Sequence, residues 1–213
     1  MLEECALPYQ AIPINIGKGE QFAPNFLRIS PNNKVPALVD PAGPDGKEIA
    51  IFESGAVLLY LAAKTGRFLG DSDRAKYEVL QWLMFQMASV GPMLGQNHHF
   101  RLYAPEKIAY AIDRYTNEAK RIYGVIDTQL RTHAYLAGDS YTIADIATFP
   151  WLRNWKNQGI TLADYPHLEA WFNAIAERPA VQRGVAQMAE LRKPQPDARA
   201  REILYGSTQY QKR

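Results

Sequence analysis

Pro31-Asn32-Asn33-Lys34-Val35-Pro36-Ala37-Leu38-Val39-Asp40, followed after a turn by Phe52-Glu53-Ser54-Gly55-Ala56-Val57-Leu58-Leu59-Tyr60-Leu61-Ala62, decides the fold of this chain. Ala37–Asp40 and residues 49–52 read as short strands. Asp45-Gly46 between them is a turn dipeptide that accepts left-handed backbone. Ser54 can cap a helix whose Val57, Leu58, Leu61 and Ala62 share one apolar face and whose end is Gly66. Pro36 leaves two readings open. It is either a trans proline entering a strand, or the second residue of a cis bond that presents the Val35 N–H and C=O at a sheet edge. Glu53-Ser54 is likewise either a plain helix cap with an acidic neighbour or an anion site built from free N–H groups and the helix dipole.

Towards the amino terminus, residues 2–7 read as the end of a helix stopped near Pro8. Tyr9 to Ile16 alternates well enough to predict a strand with Ile12, Ile14 and Ile16 on one face. Gly17-Lys18-Gly19 ends it, and Pro24 opens a short helix to Ile29. Towards the carboxyl terminus the character changes near Gly70, and helical periodicity takes over. Leu80, Leu83, Met87 and Val90 follow it, as do Ile108, Ile112, Tyr115, Ala119, Ile122, Ile126 and Leu130 over a long helix. Thr142-Ile143-Ala144-Asp145 resembles a capping box, with Ile146 and Phe149 in its helix before Pro150. Pro166 opens another helix, and Pro179 closes it. From Leu191 the tail is polar and basic with few apolar anchors, which predicts a mobile or surface-draped segment.

Composition narrows the function classes. Over 213 residues, 24 Lys and Arg stand against 22 Asp and Glu, a net charge of +2, which gives no electrostatic case for nucleic acid or an anionic membrane. The longest apolar stretch, near Ala56 to Ala63, is too short to span a bilayer. No secretory pattern opens the chain. The single cysteine, Cys5, excludes an internal disulfide and a four-cysteine zinc site. Without a Cys-x-x-Cys partner it reads as an inert thiol. Adjacent His98 and His99 point about 100° apart on a helix and lack acidic or cysteine partners at ligand spacing, so no metal is expected. The reading is of a cytoplasmic, metal-independent protein.

The Pro31–Asp40 and Phe52–Ala62 pair resembles the glutathione-binding core of glutathione transferases. Gly91-Pro92-Met93-Leu94-Gly95-Gln96-Asn97-His98-His99-Phe100 and Gly17-Lys18-Gly19-Glu20-Gln21-Phe22 resemble the bacterial nu class. That class includes glutathione-dependent disulfide reductases and is related to the yeast nitrogen-regulating prion protein. The resemblance implies an α/β plus all-α fold. An N-terminally truncated thioredoxin-like domain would occupy residues 1–70, a helical-bundle domain 71–190 and a polar tail 191–213. It also implies glutathione as co-substrate, held by Gln21, Val35, Glu53, Ser54, Asn97 and Arg114. Val35 would pair with the cysteinyl backbone, and Ser54 with the helix start would take the γ-glutamyl carboxylate. Glu53 would take the ammonium, Gln21 the glycyl end and Arg114 a carboxylate. By local pattern alone Gln21 is a solvated loop amide and Arg114 part of a wet charged face with Glu118 and Arg121. Trp82, Phe85, Met93, Phe100 and Tyr103 are either core or the wall of a co-substrate pocket.

No residue here matches the family's first strand or the following loop, whose side chains hydrogen-bond the glutathione thiolate and lower its pKa. Either the start lies upstream of Met1 or the truncation is genuine, and no catalytic residue is carried over. The activity implied is transfer of glutathione to an electrophile or reduction of a disulfide by glutathione's own thiol. The alternative is a non-catalytic glutathione-binding or interaction protein. A homodimer is the quaternary state the resemblance implies.

Overall fold

Two four-residue strands form where apolar and β-branched residues lie between turns. β1 (Ala37–Asp40) and β2 (Ile49–Phe52) pair antiparallel, with Ala37 opposite Phe52 and Asp40 opposite Ile49. The computed structural model describes residues 1–191 and 196–211, and among these β1–β2 is the only sheet. The connection is tight because Asp45 and Gly46 both take positive φ, 57° and 70°, as the dipeptide predicts.

The strand expected over Tyr9–Ile16 is not there. Residues 7–15 form no helix or strand, and Ile16–Lys18 make a 3-10 turn. Ile12 is 70% exposed, so the three isoleucines do not build an apolar face. Alternation alone cannot hold a strand that has no neighbour to bond, and Pro13 contributes no N–H to a ladder.

Cα packing separates two compact units. The smaller comprises Leu7–Val57 and the described part of Val185–Arg213. It holds α2 (Pro24–Leu27), opened by its proline, the β1–β2 ladder and α10 (Ala198–Tyr205). Part of the expected tail, residues 192–195 and 212–213, lies outside the described residues. The remainder is not a loose strap. Asp197 caps α10 by accepting from the Ala200 N–H at 2.8 Å, and Ala200 is buried.

The larger unit comprises Met1–Ala6 and Leu58–Gly184. It contains α1 (Leu2–Cys5), most of α3 (Ser54–Thr65), α4 (Asp73–Phe85), α5 (Gly91–His98), α6 (Ala109–Leu130), α7 (Ile143–Leu152) and α8 (Pro166–Ala176), with α9 (Pro179–Ala186) at its end. Its core is the apolar stripe of α6, where Ala119, Ile122 and Ile126 are wholly buried against Leu94, Leu152, Leu168 and Ile175. A second cluster joins Leu58, Ala62, Val79, Leu83 and Ile143.

The capping box of α7 is complete, with the Thr142 side chain and the Asp145 carboxylate each satisfying a backbone N–H of the first turn. Pro150 does not end that helix; it sits inside it. Nor does α4 run straight on through Val90. Gln86–Val90 and His99–Tyr103 are π turns flanking α5, each widening the helix by one residue per turn. Arg178, between α8 and α9, donates its Nε and Nη2 to the Glu4 carboxylate of α1 at 2.8 Å each and lies over the Tyr141 ring, 3.9 Å from its centroid.

Candidate functional site

The β1–β2 register assembles three of the six expected binding residues. Ala37 faces Phe52, so one step beyond the ladder Pro36 comes opposite Glu53. Val35, Glu53 and Ser54 therefore gather at one end of the hairpin. The Val35–Pro36 bond is cis, and Val35 is 48% exposed, its chain running at the open edge of β1. Antiparallel pairing by an extended ligand needs such an edge.

The turn that presents Val35 is fixed from below. Ser30, wholly buried, donates its hydroxyl to the Lys34 carbonyl at 2.8 Å, and the Asn33 N–H bonds the Ser30 carbonyl at 2.9 Å. Asn33 takes a positive φ of 48°, which Asn tolerates better than most residues.

Ser54 is the first residue of α3, not its cap as the sequence suggests. Glu53 holds the position before it with a φ of 68°, and its carbonyl accepts the Val57 N–H at 3.0 Å. Left-handed backbone at a non-glycine residue is uncommon and concentrates at ligand sites. The Glu53 carboxylate is steadied by the Asn32 amide, which donates to it at 3.2 Å. That contact spans 21 positions, and no local pattern marks Asn32 for it.

Gln21 is in the same unit, in the 3-10 turn Glu20–Phe22. It is not a solvated amide: 2% of it is exposed, and its Oε1 has no hydrogen-bond partner among the described residues. A buried amide oxygen left without a donor is rare in folded proteins.

Asn97 and Arg114 belong to the helical unit. Asn97 is wholly buried on α5, donates to the Thr116 hydroxyl at 3.4 Å and leaves Oδ1 without a partner among the described residues. Arg101 donates to the same hydroxyl at 3.2 Å and to the Asn157 carbonyl at 3.0 Å. Its guanidinium covers Gly159, where a Cβ would come within 2.7 Å. The network Asn97–Thr116–Arg101 was not marked by the sequence. It ties the second π turn to α6 two residues after Arg114.

Arg114 itself is exposed on α6. Beside it Arg121 grips Glu118 through two hydrogen bonds, 2.7 and 2.9 Å, which hold that carboxyl below its ordinary range, with Arg114 adding to the effect.

Other candidates resolve differently. Trp82, Phe85 and Met93 pack against the main core cluster, while Phe100 stacks on Tyr115 with centroids 5.5 Å apart. Burial pushes the His98 imidazole below its ordinary range, opposed by a bond to the Asn154 backbone. Among the described residues no three His, Cys, Asp or Glu side chains cluster to hold a metal, and no helix is long and apolar enough to cross a membrane. The Cys5 thiol lies 3.7 Å from the Thr65 hydroxyl.

Comparison with known proteins finds relatives of both parts of the chain. Residues 1–64 match the glutathione S-transferase N-terminal domain and residues 80–179 the glutathione S-transferase C-terminal domain. The chain is 50% identical over 194 residues to the disulfide-bond oxidoreductase YfcG of Escherichia coli K12, covering 90% of each protein. It superposes on a glutathione transferase family member from Pseudomonas fluorescens with two glutathione bound. That match has a TM-score of 0.82 at 44% identity, covering 86% of this chain and 84% of the other. A Pseudomonas putida glutathione transferase with one glutathione disulfide bound per subunit gives 0.83 at 40%, covering 87% and 83%.

Proposed function

The chain belongs to the glutathione S-transferase family, and on that premise we propose that it is a glutathione-dependent disulfide-bond reductase. The observation that carries the reading is the hairpin register, which sets the exposed Val35 and Pro36, just before β1, across from Glu53 and Ser54. Glutathione is an extended tripeptide with an ammonium and two carboxylates. The Val35 edge suits its cysteinyl backbone. The α3 amino terminus with Ser54 suits the γ-glutamyl carboxylate, and Glu53, braced by Asn32, suits the ammonium. We assign Gln21 to the glycyl end; Asn97 and Arg114, in the helical unit, are proposed as glutathione ligands on the family resemblance alone. Arg suits a carboxylate through its planar fork of donors.

The chemistry is two successive thiol–disulfide exchanges. A glutathione thiolate attacks one sulfur of a substrate disulfide, forms a mixed disulfide and releases the other sulfur as a thiolate, which takes a proton. A second glutathione thiolate then attacks the glutathione sulfur of the mixed disulfide, giving glutathione disulfide and the second reduced thiol. Two glutathiones are oxidised and one disulfide is reduced. The protein's share is to bind and orient the thiol donor, since Cys5, its only cysteine, has no second thiol with which to form a disulfide. The related structures holding two glutathiones or one glutathione disulfide match the reactants and product of this sequence.

We place this activity in the cytoplasm, in a homodimer. A thiol-poor chain and a reaction that consumes reduced glutathione fit a reducing compartment. The test is reduction of a small alkyl disulfide by glutathione, followed as NADPH consumption by added glutathione reductase. Turnover well above the uncatalysed exchange is expected. A rate equal to the protein-free control would overturn the assignment, and conjugation of a chloroaromatic acceptor without disulfide turnover would move it to group transfer.

A further inference from the structure

We propose that α10 is a positioning element of the glutathione site, acting on Gln21 through the contact of Ala200 and Ile203 with the Gly17–Gly19 turn. This rests on the reading of Gln21 as a glutathione ligand.

The chain before the turn that carries Gln21 is irregular. Residues 7–15 form no strand or helix, and Tyr9, Ile12 and Ile16 are all substantially exposed. Within the turn the bonds are local: Lys18 N–H and Glu20 N–H reach the Asn15 carbonyl at 3.0 and 3.3 Å, and the Glu20 carboxylate accepts the Asn15 N–H at 2.6 Å. Local bonds shape a turn but do not fix where it stands.

The non-local support comes from the tail. A Cβ built on Gly17 would stand 3.3 Å from the Ala200 Cβ, and one built on Gly19 would stand 3.8 Å from Ile203 Cγ2. Helix and turn thus approach about as closely as two small residues allow. Gly19 also needs its lack of a side chain for a φ of 84°.

The helix is itself well secured. Asp197 caps it, Glu202 accepts from both the N–H and the hydroxyl of Ser207 at 2.9 Å, and Gln209 donates to the Ile203 carbonyl at 2.8 Å. It is hydrogen-bonded at both ends. What it steadies is a buried amide, Gln21, with an oxygen still lacking a donor. A binding group earns affinity only if it is held in place before the ligand arrives.

Four full-length proteins decide the matter: wild type, Ala200→Asp, Gln21→Ala and the double variant, titrated calorimetrically with glutathione. Ala200→Asp is expected to weaken binding about tenfold, the scale of one well-placed hydrogen bond. It should add nothing further in the Gln21→Ala background, because both changes remove one interaction. Ala200→Ser, which keeps the residue small, is expected to bind as wild type.

Gly17→Val disturbs the same contact from the other side and stands in for Ala200→Asp should that variant express poorly. Unchanged affinity in both variants, or losses that add, would overturn the proposal. Hydrogen exchange of residues 16–22 without ligand supplies a readout that does not depend on glutathione. Faster exchange in Ala200→Asp is expected, and unchanged exchange sinks the proposal. Failure of the wild type to bind glutathione would remove the functional reading, with the exchange data still deciding whether α10 holds the turn.

Discussion

Two buried polar side chains of this protein, Asp145 in the helical unit and Gln21 in the smaller one, are handled in opposite ways. In the helical unit Asp145 is wholly buried and accepts four hydrogen bonds: from the Leu136 N–H, from the Thr142 N–H and hydroxyl, and from the Trp171 indole, at 2.9 to 3.1 Å. Burial raises its carboxyl, and those four bonds pull it back. In the smaller unit Gln21 is just as hidden, yet its carbonyl oxygen is unmatched, and Val35 and Phe52 leave strand edges in the open. A satisfied buried group stabilises a fold. An unsatisfied one beside exposed backbone holds capacity for a ligand. The difference separates a buried group spent on stability, Asp145, from one left with capacity for a ligand, Gln21.

The largest way to break that contrast is Asp145→Ala. It strands four buried donors, so the helical unit should lose at least about 3 kcal/mol in chemical denaturation. A loss below about 1 kcal/mol would mean that water or rearrangement replaces the carboxylate at little cost, and the contrast would fail.

Glu53→Gln probes the other pole. Removing its charge should weaken glutathione binding roughly 10- to 100-fold, the worth of one charge-assisted bond. The unfolding free energy should stay within about 0.5 kcal/mol of wild type, as for a surface position. The reverse pattern, stability lost and affinity kept, would make Glu53 a structural residue.

Glu4 lies between these extremes. Its side chain is 7% exposed while Arg178 is 31% exposed, and the hydrogen bonds from Arg178 hold its pKa below the ordinary 4.5. Its folded pKa is depressed, so its stabilisation is complete above the unfolded value. It disappears as pH falls through the folded one. Glu4→Gln should therefore cost about 1–2 kcal/mol at pH 7, discounted for the wet side of the pair. That gap should close as both proteins are acidified below pH 4.5. A gap that persists in acid would assign the loss to packing against Tyr141 instead.

The parts of the fold that were legible are those whose causes are local. Asp45-Gly46 and Thr142–Asp145 carry their own geometry in four residues or fewer, and the strands and the helix start beside them follow. Tyr9–Ile16 misled because alternation specifies a face but not a neighbour. The π turns at Gln86–Val90 and His99–Tyr103 were invisible because one added residue hardly disturbs an apolar stripe. At the candidate site, the gathering of Val35, Glu53 and Ser54 at one end of the hairpin follows from the paired segments Pro31–Asp40 and Phe52–Ala62. Asn32, Thr116 and Arg101 were not legible, since their partners lie 15 or more positions away. The burial of Gln21 was likewise hidden, because an amide in a Gly-rich turn has the same appearance whether wet or dry.

The smallest effect sharpens the contrast from the surface of the helical unit. Arg121 and Glu118 form a bidentate pair one turn apart on α6, with side chains 54% and 29% exposed. The bonds, 2.7 and 2.9 Å, lie within 0.1 Å of the 2.8 Å bonds of the Glu4–Arg178 pair, so distance alone would rank the two alike. Solvent does not. Water screens the exposed charges, and two long side chains give up rotamer freedom to meet, so Arg121→Ala should change stability by no more than about 0.5 kcal/mol. Raising the salt to 1 M should erase even that, while leaving most of the Glu4→Gln loss in place. Equal losses for the two substitutions, with equal salt dependence, would show that burial is not what separates a stabilising pair from a decorative one in this helical unit.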